Sequence, residues 1–362
     1  MRWVIKVGSA VISNPEGGLN RSSIERVAAQ VAKLQQNGNE VILVSSGAIS
    51  AGVGRLGWQE RPSDLRMKQS AAAVGQLALM EAYEEVFTRE NITPAQILLT
   101  REDLLDRQRY LNIRNTLMNL LSLQTIPIIN ENDSVSTDEI QFGDNDNLSA
   151  IVAIKVEADR LVLLSDVPGL YESIESKKVI PVVDRITPEL EKMALKEIGS
   201  KLSVGGMSAK IQAAKMATSA GVETWISSGE STDILERIHQ SDPSAGTRFL
   251  SRKEKFASRH AWIAFGRTTR GILVVDDGAT RALVEGRKSL LPKGIASIKG
   301  NFSMGDTVIL KSKKGVEIGR GLVNYNATEV KKIKGHHSKE IGSLLGRAAA
   351  DEVIHRDNLV LL

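Results

Sequence analysis

The fold class this sequence predicts is an αβα sandwich on a mostly parallel central sheet, followed by a small β-barrel. Two patterns carry that expectation. Over roughly the first 230 residues, short apolar runs alternate with helical repeats, which is how a parallel sheet covered on both faces reads. After a polar, turn-rich stretch at 240–259 (QSDPSAGTRFLSRKEKFASR), the helical repeats give way to short β runs between Gly-rich turns. A chain of 362 residues also exceeds what one core of about 250–300 residues holds, so we expect two domains, 1–255 and 256–362.

Each element has a local reason. Trp3–Val7 is an apolar run closing on Gly8-Ser9, with Lys6 inside it. A lysine there either snorkels to solvent or aims its ammonium at a ligand above the strand end. Ile24, Val27, Ala28 and Val31 then recur at helical spacing. Asn20 or Ser22 can cap this helix, and Asn37-Gly38 ends it. Val41–Val44 is a second buried strand, closing on Ser45-Ser46-Gly47-Ala48. Such a strand, glycine turn and helix start present backbone N–H groups to an anion. Asp64–Arg89 and Glu102–Leu121 read as long helices; Ile97–Thr100, Ile126–Asn130, Leu161–Ser165 and Thr224–Ser227 read as strands. In the second domain, Gly271–Val275, Ile295–Ile298, Thr307–Leu310, Val316–Ile318 and Leu359–Leu361 read as strands.

Composition narrows the function classes. There is no cysteine, hence no disulfide framework, thiolate nucleophile or Cys-based zinc site. No run approaches the roughly 18 apolar residues of a membrane span, and the N-terminus enters a strand with no signal-peptide pattern, so a cytoplasmic location is expected. Charge is uneven: residues 259–362 carry a net +8 and residues 1–258 a net −4. Two modules follow, the second either drawn to polyanions or simply basic and solvated.

The stretch Ile128–Ala150 (IINENDSVSTDEIQFGDNDNLSA) gathers ten Asp, Glu and Asn residues and no Lys or Arg. It has a bland reading as a solvated acidic loop. It also has a functional one, since its two clusters flank a short excursion at a strand's carboxyl end, where open α/β sheets bind ligands. Gly52-x-Gly54-x-x-Gly57 matches a dinucleotide fingerprint literally, but its strand has already ended at Gly47 and no acid follows at the required distance. No P-loop is present, and Asp144–Asn147 lacks the glycine and the bidentate Glu of a calcium loop. Gly205-Gly206 with Lys210 at a helix start can cradle phosphate, or can be only a turn. His239 is the one histidine before residue 260, so a Ser-His-Asp triad is implausible. Lysines converging on a phosphoryl group, with acids to hold them, fit phosphoryl transfer.

Taken together, several motifs resemble the amino acid kinase superfamily, in detail its glutamate 5-kinase family. They are Lys6-Val7-Gly8-Ser9, Ser45-Ser46-Gly47-Ala48, Asn130-Glu131-Asn132-Asp133, Phe142–Ala150, Ser165-Asp166-x-x-Gly169-Leu170-Tyr171 and Gly205-Gly206-Met207-x-x-Lys210. Leu290-Leu291-Pro292-x-Gly294-Ile295 and Gly300-Asn301-Phe302-x-x-Gly305-Asp306 resemble a PUA domain. The resemblance covers essentially the whole chain. It implies an amino acid kinase-like sandwich with a PUA-like barrel, and transfer of phosphate from ATP, with Mg²⁺, to the side-chain carboxylate of L-glutamate. The product would be L-glutamyl 5-phosphate, in the first step of proline biosynthesis.

Carried over residue by residue, the resemblance makes Lys6, Asp146 and Lys210 catalytic and gives Ser46, Asp133 and Asn145 to glutamate. Lys6, Ser165, Asp166, Val204, Gly205, Gly206, Met207, Ser208, Ala209 and Lys210 would contact ATP, and no protein metal ligand is assigned. Proline as feedback inhibitor, a homo-oligomer and coupling to glutamyl phosphate reductase are further implications. The chain departs from the family in two places. Ser165 stands where members commonly have Thr, and Val204, on a shortened segment, stands where they have a hydroxyl. Alternatives are a kinase for another small acid (aspartate, N-acetylglutamate or carbamate), or an RNA-binding PUA protein with a vestigial kinase fold.

Overall fold

In the first unit, Met1–Lys255, buried strands repeatedly deliver the chain to one edge of a sheet. The computed structural model describes residues 1–135, 145–173, 175–196, 206–251, 269–286, 288–347 and 350–361. Among the described residues, eight strands form the sheet: β1 Arg2–Val7, β2 Glu40–Ser45, β3 Pro94–Leu99, β4 Ile126–Glu131, β5 Arg160–Ser165, β6 Val182–Val183, β7 Glu223–Ser228 and β8 Thr247–Phe249. Their order is β3-β4-β2-β1-β5-β7-β8-β6. All pairings from β3 across to β7 are parallel. Only β8 runs antiparallel to β7, with β6 parallel to β8. These last two short strands were not read from the sequence, being too brief to show a period.

Helices cover the sheet. They are α1 Ser9–Ile12, α2 Arg21–Gln36, α3 Ala48–Arg55, α4 Leu65–Arg89, α5 Arg101–Leu105, α6 Arg107–Ser122, α7 Asn145–Lys155, α8 Pro188–Lys196, α9 Gly206–Ser219 and α10 Ile234–His239. Asn20 is the residue that caps α2, accepting from Ser23 N at 3.1 Å. The single helix expected over Glu102–Leu121 is two. Asp106 turns extended, and its side chain accepts from Arg109 N to start α6, a cap that outweighs continuing the first helix. The core runs through Ile5, Val7, Ile24, Val27, Leu43 and Val162, all essentially inaccessible.

Two glycines set how closely α3 and α4 approach. A Cβ on Gly52 would lie 1.8 Å from Ala71 O, and one on Gly75 1.8 Å from Ala48 O. Only glycine permits that crossing.

The second unit, Phe256–Leu362, has its own core of Leu273, Val275, Leu310, Tyr325, Val330 and Ile354. Among its described residues the strands are β9 Thr269–Val275, β10 Ile295–Gly300, β11 Thr307–Ser312, β12 Glu317–Leu322 and β13 Leu359–Leu361, in the order β10-β9-β11-β12-β13. Helix Ala327–Ile333 starts from a capping box made by Asn326 and Glu329. Among the described residues, no helix is long and apolar enough to cross a membrane.

Candidate active site

Because β1, β2, β4 and β5 are parallel neighbours, their carboxyl ends lie along one edge, with β1 between β2 and β5. That edge receives Lys6 from β1, Ser45 from the end of β2 with Ser46 just after it, Asn130 from β4 and Ser165 from β5. Helix α7 opens over it with Asn145 and Asp146 in its first turn, where the helix dipole favours an anion. Asp146 is 1% exposed and sits between two buried lysines. Its Oδ1 is 2.5 Å from Lys6 Nζ, and its Oδ2 accepts from Lys210 Nζ at 3.2 Å.

Burying three charges is costly, so such a cluster is weak as a device for stability alone. Two ammoniums against one carboxylate leave one positive charge in a place largely shielded from water. That suits an anion with more charge than a carboxylate. Gly8, next to the cluster, keeps the approach open: a Cβ there would sit 3.6 Å from Lys6 Nζ and 3.2 Å from Leu164 O. Lys210 lies one turn into α9, behind Gly206, Met207, Ser208 and Ala209. These features fit a nucleotide phosphate chain.

Ser9, beside Gly8, leads into a cavity of about 670 Å³ lined by Ser46, Gly47, Asn130, Asp133, Asn145 and Asp166. Gly47 takes a left-handed φ of 99° there, and a Cβ would also press on Ile12 Cδ1 at 3.1 Å. The Asn145 amide nitrogen donates to Ser45 O (2.9 Å), Ser46 Oγ (3.0 Å) and Asn130 Oδ1 (3.0 Å). Burial pushes the Asp133 carboxyl up to about 6, while the nearby Arg61 guanidinium pulls it back.

The structure therefore brings Lys6, Asp146 and Lys210 into one cluster, and Ser46, Asp133, Asn145 and Asp166 onto one cavity. Ser165 donates to Asp166 Oδ1 at 2.9 Å, so these two bond to each other rather than to the lysines. Val204 and Gly205 lie outside the described residues. Arg61 and Lys68, which are not among the residues the resemblance assigns, put two cations on the cavity wall. Arg61 sits in a connecting segment and Lys68 in a helix, and nothing in their local spacing distinguishes them from solvated charges.

Against known proteins, the model of the amino acid kinase family matches residues 1–228. The chain belongs to the amino acid kinase family. The PUA domain model matches residues 271–345 of this amino acid kinase. It is 48% identical over 366 residues to a glutamate 5-kinase of Caldanaerobacter subterraneus subsp. tengcongensis, spanning 100% of this chain and 98% of that protein. A glutamate 5-kinase of Paraburkholderia phymatum is 48% identical over 365 residues, with the same coverage. One of Thermoanaerobacter pseudethanolicus is 45% identical over 366 residues.

Proposed function

We propose that this amino acid kinase moves the γ-phosphoryl group of ATP to the side-chain carboxylate of L-glutamate, giving ADP and L-glutamyl 5-phosphate. The observation that carries the reading is Asp146 holding Lys6 and Lys210 together next to a cavity with a zwitterion's complement of charges. The full-length likeness to glutamate 5-kinases supports the choice of acceptor. In this reading, Asp133 and Asn145 take the α-ammonium. Ser46 sits at the turn where the substrate's oxygens meet backbone N–H groups, and Arg61 and Lys68 face its α-carboxylate.

The attacking carboxylate is already ionised at neutral pH, so no general base is needed. Its oxygen bonds to the γ-phosphorus as the bond from that phosphorus to the β–γ bridging oxygen breaks. The electron pair leaves with ADP. Lys6 and Lys210 stabilise the charge on the phosphoryl oxygens, and Asp146 keeps both ammoniums in place, so catalysis is positioning plus fixed charge. Ser165, Asp166 and the 204–210 segment complete the nucleotide side. Mg²⁺ would neutralise phosphate charge. The ion would be held chiefly by the nucleotide phosphates and its own waters.

We further propose domains at 1–255 and 256–362, a cytoplasmic enzyme of proline biosynthesis, a homo-oligomer, feedback by proline, and coupling to glutamyl phosphate reductase, all as the resemblance to glutamate 5-kinases implies. The basic second unit serves assembly or regulation rather than RNA binding, since few of its side chains are aromatic and able to stack on bases. The test is ADP release with a panel of acids, with and without proline. Glutamate-dependent turnover is expected; turnover with another acid and none with glutamate overturns the assignment.

A further inference from the structure

Helix α4 is long; besides Lys68, which lines the cavity, it touches the cavity wall from behind through a second side chain. Gly75 and Gly52 lock α4 against α3 at a separation no Cβ would allow, and the residue after Gly75 is Gln76. Its Oε1 accepts from Asn130 Nδ2 at 2.8 Å, and its Nε2 donates to Gln96 Oε1 on β3 at 3.2 Å. Asn130 is only 3% exposed. With its amide nitrogen committed to Gln76, its Oδ1 accepts from Glu131 N at 2.9 Å and from Asn145 Nδ2 at 3.0 Å. Asn145 in turn spends its nitrogen inward, on Asn130, Ser45 O and Ser46 Oγ. Its Oδ1 is left as an acceptor with no hydrogen bond to a described residue, on a side chain that lines the cavity.

We infer that Gln76 is a positioning residue of the amino acid subsite, acting through Asn130 to hold the Asn145 amide so that its oxygen meets the substrate's ammonium. The inference rests on the glutamate reading above. Asn130 and Asn145 are buried and have little water to fall back on, so their geometry depends on the half-buried Gln76 that holds Asn130 from outside. Without an acceptor at position 76, Asn130 Nδ2 is left unpaired in a buried site. Asn130 then turns to find a partner and withdraws its Oδ1 from Asn145. Lys6 and Lys210 bond to Asp146 rather than to Gln76 or Asn130, so the disturbance is expected on the amino acid side.

The test is steady-state kinetics of the full chain with glutamate and ATP varied separately, for wild type, Gln76→Met and Gln76→Glu. Gln76→Met keeps the shape and removes the acceptor; the glutamate KM should rise about tenfold, with kcat and the ATP KM within about twofold of wild type. Gln76→Glu keeps an acceptor oxygen and should restore the glutamate KM to within about threefold. An unchanged glutamate KM in Gln76→Met overturns the inference, as does equal damage in Gln76→Glu. A common rise in both KM values with a fall in the unfolding temperature also overturns it, because that marks a merely structural role. Should Gln76→Met not fold, Gln76→Leu is the second acceptor-free variant. If wild type turns over another amino acid instead of glutamate, the substrate reading fails by itself, and the same KM comparison is made with that amino acid.

Discussion

Asn145 and Asp146 are consecutive residues at the start of one helix, yet they serve two regions built from opposite materials. Asp146 joins Lys6 and Lys210 in a buried cluster of ions. Asn145 joins Asn130, Ser46 and Gln76 in a chain of neutral amides and hydroxyls. Ions buried together are expensive and only modestly directional, and they are useful where charge develops during a reaction. Neutral amides cost less to bury once every donor is met, and their fixed geometry suits recognition of a substrate already at rest. The difference teaches a division of labour: one cluster is suited to lowering a barrier, the other to choosing an acceptor.

That division can be broken most sharply at the ions. Lys6→Ala and Lys210→Ala should each lower kcat by roughly 10²–10³ while moving the glutamate KM little. Unchanged kcat in either variant removes that lysine from the chemistry. A second cut goes through the scaffold of the amide side. Gly75→Ala drives a methyl into Ala48 O and should destabilise the first unit by about 1–3 kcal/mol, seen as a lower denaturant midpoint at unchanged slope. Because α4 carries Gln76 next to Gly75, the variant's glutamate KM should worsen before its kcat; the reverse order would mean the two regions are not separable.

The third test is a titration. Burial holds the Asp133 carboxyl up at about 6, so it is ionised above that pH and protonated below it. A protonated Asp133 cannot pair with an ammonium, and kcat/KM for glutamate should fall about tenfold between pH 7 and pH 5. The same shift acts on stability with the opposite sign. A carboxyl whose folded pKa lies above its unfolded value weakens the fold when ionised, and this weakening is relieved as pH falls from about 6 towards 4. Asp133→Asn should abolish both trends; a pH profile that survives it belongs to another group.

Much of the fold was legible because parallel strands write themselves as plain apolar runs ending in polar residues, as at Val41–Ser45 and Leu161–Ser165. That Lys6 and Lys210 could face acids at the strand ends was open to a reading of the residues, but the place of Asp146 between them came only with the resemblance to amino acid kinases. Other features depend on contacts between segments far apart in sequence. The break at Asp106 depends on a side-chain cap, and β6 and β8 are too short for any period. Gln76 reads as one polar position in a helix until its partner, 54 residues away, is seen. The Gly52-x-Gly54 pair that imitates a nucleotide fingerprint is explained the same way. Gly52 admits Ala71, and a Cβ on Gly54 would lie 2.5 Å from Gly18 Cα, so both glycines are there for packing.

Adjacent residues on a helix point about 100° apart and move as one rigid piece. A tilt of α7 that retuned the grip on an acceptor would therefore also pull the carboxylate off its two lysines. Variants that accept a longer or shorter acid should thus be sought off α7, around Arg61 and Lys68, which line the same cavity and are not members of the Lys6–Asp146–Lys210 cluster.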